Sequence, residues 1–134
     1  MPERLAIIAL LAMAVLLLGL AARLIARRQA AARLGDALPA GLRDRVPAGT
    51  SSLLYFFGPH CPSCRQQARI LDDLEASAGI HTLRIDTVEE RALAAWFGIM
   101  TVPSSVVVGP DRAVQRVLLG FQPASALQEW LDRT

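Results

Sequence analysis

The sequence predicts an α/β protein: one four-stranded mixed sheet flanked by helices, preceded by one N-terminal transmembrane helix. Three observations predict it. Residues 5–22 form a run of 18 residues without a charge. From Ser52 onward, short apolar runs alternate with helix-period segments, the pattern of strands joined by helical crossovers. Toward the C-terminal end, two strand-like runs are separated only by Gly109-Pro110-Asp111-Arg112, which reads as a hairpin turn.

The uncharged run comes first. At 1.5 Å per residue it is about 27 Å long, close to the hydrocarbon thickness of a bilayer. Leu24, Ile25 and Ala26 extend it past Arg23, whose long side chain can snorkel. A cleaved signal peptide is the rival reading, but its positive region would be Arg4 alone and its apolar region unusually long. A buried helix of a soluble protein is the third, hard to pair with a following domain that has a core of its own. A retained anchor, in contact with the lipid bilayer through residues 5–22, fits best. Arg23, Arg27, Arg28, Arg33, Arg43 and Arg45 follow the run, whereas Arg4 and the amino terminus precede it. This asymmetry favours a cytoplasmic position for the domain, with the extracytoplasmic face as the alternative.

The expected organisation is an anchor with an arginine-rich edge over residues 1–28, a stalk or linker over 29–50, and a folded domain over 51–134. Residues 29–38 can continue the helix until Pro39-Ala40-Gly41 breaks it. Residues 52–57, SLLYFF, are apolar throughout and read as a central strand covered on both faces. A helix follows over 61–77, with Ile70, Leu71 and Leu74 inward and Gly79 ending it. Residues 80–86 alternate as a second strand. Residues 88–97 form a helix closed by Gly98, with Trp96 facing in. Strands over 104–108 and 113–119 flank the hairpin turn, and a helix over 123–131 turns Leu127 and Trp130 to the core.

Composition limits the function classes. The chain has 134 residues, of which 53% are apolar, and the net charge is +2. All 14 basic residues are Arg, their excess lies just after the apolar run, and a nucleic-acid partner has no support. The two cysteines, Cys61 and Cys64, sit three apart after the first strand, at the head of the first domain helix. A Cys-Pro-Ser-Cys pair of this kind is a redox dithiol, half of a metal site or a local brace. Zinc needs four ligands, and only His60 and His81 are at hand, so no metal is expected, and thiol–disulfide exchange by the pair itself would use no bound organic cofactor. A dithiol at a helix N-terminus suits thiol–disulfide exchange, because unpaired N–H groups and the helix dipole favour a thiolate there. Cys61, nearer the helix start and solvent, is the candidate attacking group; Cys64, one turn in, is the candidate resolving group.

Supporting residues surround the pair. Pro62 suits an early helical position, where its missing N–H is not needed. Ser63 either hydrogen-bonds a sulfur or is simply an exposed helix residue. His60, as an imidazolium, would stabilise a neighbouring thiolate; its alternatives are substrate contact or no role. His81 reads as a surface residue. Pro103 stands at the entry to the third strand and a cis bond there allows close approach, although an ordinary loop proline has the same spacing. Tyr55 is in the buried strand and its hydroxyl needs a partner.

With these residues in view, the chain from about residue 51 to 131 resembles the thioredoxin family. Phe56-Phe57-Gly58-Pro59-His60-Cys61-Pro62-Ser63-Cys64 occupies the place of the family's strand and WCxxC motif. Ile85-Asp86 matches the end of its next strand, and Trp96-Phe97-Gly98-Ile99-Met100-Thr101-Val102-Pro103-Ser104 matches the segment leading to its cis-proline. Gly120 matches the late glycine. The resemblance implies a thioredoxin-like fold, with Cys61 as nucleophile, Cys64 as resolving cysteine and Pro103 cis against the dithiol. Val102 would offer backbone hydrogen bonds to a bound substrate chain. It also implies protein thiols and disulfides as substrates, an upstream electron donor or acceptor protein, and a single-pass place in a bacterial cell membrane. The departures are His60 for the usual tryptophan, Pro62-Ser63 for glycine-proline, and Tyr55 for the buried acid. A redox-silent binding module on the same fold, or a soft-metal-handling protein, are the competing functions.

Overall fold

A computed structural model describes residues 1–134, the side chain of residue 30 excepted. In chain order the elements are α1 (Pro2–Ala32), α2 (Ala40–Arg43), β1 (Ser52–Phe57), α3 (Pro62–Ala78), β2 (His81–Asp86), α4 (Arg91–Trp96), β3 (Ser104–Val108), β4 (Val114–Leu119) and α5 (Ala124–Asp132). The four strands form one mixed sheet in the order β2-β1-β3-β4.

β1 is central, and its sequence says why. Successive residues of a strand face opposite sides. Leu54 and Phe56 pack into one core with Ile85, Phe97 and Val106. Leu53 and Tyr55 pack into the other with Leu71, Val107 and Leu127. An unbroken apolar run is what a strand covered on both faces requires. α3 supplies the second face through Cys64, Gln67, Leu71 and Leu74, spaced at three and four residues. It ends at Gly79, whose φ of 63° is the left-handed geometry a helix C-terminus uses.

The strand directions differ in part from the crossover pattern. β1 and β2 are parallel, but β3 runs antiparallel to β1, with Ser52 opposite Val108 and Phe56 opposite Ser104. A parallel return would carry the chain back along a strand length of about 17–20 Å. Helix α4, at about 1.5 Å per residue, is too short to do so. The chain therefore re-enters the sheet at the end where β1 and β2 finish. α4 itself starts later than the helix expected from residue 88, because Asp86 Oδ1 accepts from Val88 N and Glu89 N and holds a turn.

α1 is long and apolar enough to cross a membrane. Its large side chains, Leu10, Leu11 and Leu16 among them, are exposed, so no core in this chain covers them. The helix runs on to Ala32, and the chain after it packs onto the sheet. Gly35 N donates to Val114 O at 2.7 Å and Val114 N to Asp36 O at 2.9 Å. Ala37 bridges Ala113, and Leu38, Leu42 and Val46 are buried in the core with Leu54 and Phe56. Trp96 and Trp130, read as core residues, are half-buried. Arg33 stacks 4.3 Å from the Trp96 ring and Arg116 4.6 Å from that of Trp130, a use of arginine invisible to an apolar-periodicity argument.

If the segment around α2 is part of the core, Leu42→Ala will destabilise the full chain by about 2–5 kcal/mol, the range for a buried leucine. Thermal melts in detergent check this; an unchanged melting temperature would mark the segment as a loose strap.

Candidate active site

β1 delivers the site. Past Phe57 the chain turns through Gly58, Pro59 and His60, and His60 takes a φ of 54°. Cys61, at φ −109° and ψ 102°, is then the N-cap of α3, and Pro62 occupies the first helical turn. Cys61 Sγ accepts from Cys64 N at 3.2 Å. A sulfur thus takes the part that a serine or aspartate oxygen plays at most helix starts. One turn of helix sets the Cα atoms of Cys61 and Cys64 5.2 Å apart, within disulfide range, and the two are bonded. Cys61 is half-buried, whereas Cys64 is 5% exposed, so Cys61 is the more accessible of the two.

A second loop closes on the first. The Val102–Pro103 bond is cis and Pro103 is buried. Val102 O lies 3.9 Å from Cys61 Sγ. In the disulfide neither sulfur carries a proton, so this contact becomes a hydrogen bond only when Cys61 is a thiol. A Cβ on Gly58 would meet Val102 Cγ2 at 3.2 Å, which explains a glycine where the two loops come close. Ser104 Oγ donates to Thr101 O at 2.7 Å and accepts from Gly120 N at 3.4 Å, tying this loop to the end of β4.

Ser63 Oγ lies 3.4 Å from Cys61 Sγ, the contact that its hydroxyl makes possible. His60 is exposed and lines a groove of about 350 Å³ with Tyr55, Cys61, Cys64, Arg65 and Arg84. His81 is half-buried at the opposite end of the sheet, opposite Ser52, and takes no part here. Among the described residues, no group of three or more His, Cys, Asp or Glu side chains comes together as a metal site.

Behind the pair, Tyr55 OH donates to Cys64 O at 2.6 Å. Burial pushes the Tyr55 hydroxyl above its ordinary pKa, and the positive charge of Arg84 offsets this in part. Arg84 is itself paired with Asp72 and Glu75. Gln67 is a residue the apolar pattern passed over. It is fully buried, its side chain donates to Gln122 O at 3.0 Å and accepts from Gln122 N at 2.7 Å, and it holds the loop after β4 to α3. Its position three after Cys64 and four before Leu71 carried the signal.

A bonded cysteine pair at a helix start, with one sulfur accessible and a second loop pressed against it, defines a protein that exchanges thiols and disulfides. Known proteins agree. Residues 45–131 match the family model described as "TraF: F plasmid transfer operon protein". A thioredoxin of Bacillus subtilis is 31% identical over 83 residues, covering 60% of this chain and 79% of the relative. A thioredoxin of Staphylococcus aureus is 30% identical over 92 residues, covering 67% and 86%. Among solved structures, a mutant thioredoxin from Halobacterium salinarum NRC-1 superposes with a TM-score of 0.64 at 22% identity, covering 72% of this chain and 85% of that one. MTB dsbF, in mixed oxidized and reduced forms, gives 0.56 at 18%, covering 64% and 81%. The chain belongs to the thioredoxin family and is a thiol–disulfide oxidoreductase.

Tyr55 offers a clean titration. The chain has one tyrosine and no lysine, and its cysteines are paired. A raised folded pKa means that the neutral hydroxyl is favoured by folding. Its stabilisation is complete below the ordinary tyrosine value, about 10, and is lost as pH rises through the higher folded value. Phenolate absorbance of the oxidised chain will therefore titrate above pH 10, and the melting temperature will fall over the same window. Tyr55→Phe removes that fall and at neutral pH costs about 1 kcal/mol, the typical net value of one hydrogen bond. Titration at or below the free tyrosine value would contradict the buried donor.

Proposed function

We propose that the chain is a membrane-tethered oxidoreductase that exchanges the Cys61–Cys64 pair with cysteines of other proteins. The observation that carries this reading is the asymmetry of the pair: Cys61 is half-buried beside Val102 and cis-Pro103, and Cys64 is covered one turn behind. In the reducing direction, the Cys61 thiolate attacks a target disulfide. One target sulfur leaves as a thiolate and the other is bonded to Cys61. The Cys64 thiolate then attacks Cys61 Sγ, the mixed disulfide breaks, and the second target thiolate leaves. Two electrons pass to the target, the two released thiolates take up the protons lost by Cys61 and Cys64, and the pair closes. The oxidising direction is the same sequence reversed. An upstream donor or acceptor protein resets the pair in either case.

The residues around the sulfur have assignable tasks. The Cys64 N–H and the Ser63 hydroxyl are donors to a Cys61 thiolate, at 3.2 and 3.4 Å in the disulfide state. With the α3 N-terminus they favour the charged form. Pro62 starts that helix. Pro103 removes an N–H beside the site, and Val102 presents its backbone to the substrate chain. His60, exposed at the rim, meets the incoming protein. Tyr55 replaces an acid behind the pair, so proton exchange at Cys64 passes through water in the groove. The exposed apolar α1 supports the tether, and its length is what a single span of a bacterial cell membrane needs.

Cys64→Ser, expressed in cells, will accumulate mixed disulfides between Cys61 and protein partners, visible as reductant-sensitive adducts. Cys61→Ser will accumulate none. Adducts on the second variant alone would exchange the two roles, and adducts on neither would leave a redox-silent module. The tether is checked separately by the chain's resistance to alkaline carbonate extraction from membranes.

A further inference from the structure

α1 leaves the domain at the dithiol's own end. In the β3–β4 ladder Ser104 faces Leu119 at one end and Val108 faces Val114 at the other. The Ser104 end is the cis-proline end, where Val102 O lies 3.9 Å from Cys61 Sγ. The chain after α1 is tied at the opposite end, where Gly35 N donates to Val114 O and Ala37 bridges Ala113. Earlier in the helix, Ala22, Arg23 and Ala26 line a cleft with Met100, Thr101 and Gly120, back at the cis-proline end. α1 therefore runs along β4 from the dithiol end to the far end. The helix N-terminal to Ala22 projects beyond the dithiol.

The seam is packed. Ala26 is 6% exposed, the one buried side chain among the described residues of α1. Arg33 stacks on the Trp96 ring and its Nε donates to Trp96 O at 2.9 Å. The uncharged run ends at Ala22, and Arg23, Arg27 and Arg28 follow within about 9 Å of helix rise, where they can meet the headgroup region and its negative surface potential. The loop that touches Cys61 is at this level. So are Met100, 72% exposed, and Phe121, 40% exposed, which follows Gly120. Apart from α1 and Met1 before it, the other large apolar side chains exposed among the described residues are Leu34 and Val88. Two apolar side chains beside a group of arginines match an anionic lipid surface in both polarity and charge.

We propose that the domain is held with its dithiol end against an anionic bilayer surface, and that its substrates are membrane proteins whose reactive cysteines lie within a few residues of the membrane. This rests on the tethered dithiol reading and adds its substrate class. A domain on a free stalk would reach cysteines far from the surface; a docked one reaches only those close to it.

The test uses the full chain in nanodiscs of phosphatidylcholine and phosphatidylglycerol. Disulfide peptides are anchored in the same discs by a transmembrane segment, through flexible spacers of about 3, 10 or 30 residues, lengths that set both reach and effective concentration. The same peptide without an anchor is the soluble control. Exchange is expected to be at least about fivefold faster with the shortest spacer than with the longest, since effective concentration falls as a spacer outgrows its span. A rate that is flat or rises with spacer length overturns the proposal. A variant combining Ala26→Arg with a flexible Gly-Ser insertion after Ala32 undoes the seam. It should reverse the order of the spacers while leaving the soluble rate unchanged; an unaltered order overturns the proposal. Failure to exchange with the soluble peptide would instead refute the dithiol reading, and recovery of the chain outside the discs would refute the tether. Each of these also removes the proposal.

Discussion

The structure depends on the burial of β1 on both faces. That constraint makes the strand apolar throughout, puts it at the centre of the sheet and aims its C-terminal end at one place. There the chain turns over three residues and starts α3 with Cys61 as its cap. Because both cores grip β1, the position of the dithiol follows from packing rather than from the loop. The cis-proline loop is held as firmly from the other side, through Ser104 and the Gln67 clamp on the segment after β4.

The same strand explains the least typical feature of the site. Tyr55 lies in the second core, and its hydroxyl meets the carbonyl of Cys64 rather than a sulfur. A neutral donor in that place adds a hydrogen bond to a carbonyl of α3's first turn without adding charge beside Cys64. An ionised carboxylate there would have to be desolvated. The tyrosine therefore favours a well-packed pair over a built-in base, and the groove lined by Arg65 and Arg84 leaves water access to the sulfurs.

Much of this was legible in the residues, and the illegible parts have physical reasons. SLLYFF followed by a capped Cys-Pro-Ser-Cys helix announces β1 and α3, since burial period and cap chemistry are local. The hairpin at Gly109-Pro110 is local too. The direction of β3 was not, because it depends on how short α4 is, and Asp86 shortens that helix by trapping Val88 and Glu89 in a turn. The packing of Leu38, Leu42 and Val46 was hidden by the loop-like residues between them. The planar heads of Arg33 and Arg116 cover tryptophan rings, a packing role that an apolar pattern does not register. The cis geometry at Val102–Pro103 followed from family resemblance, as spacing along a chain carries no information about peptide isomers.

The central claim is that Cys61 and Cys64 form a reversible two-electron couple working on protein thiols. Equilibration of the full chain with glutathione redox buffers, quenched by alkylation and read by mass, measures it most directly. The account predicts one transition in which both cysteines change together, with a tenfold change in the ratio of forms per 30 mV or so. Its midpoint should lie between the thioredoxin and DsbA limits of about −270 and −120 mV, and its position would set the direction of electron flow. Two cysteines that titrate separately, or a pair that stays bonded across the whole range, would contradict it.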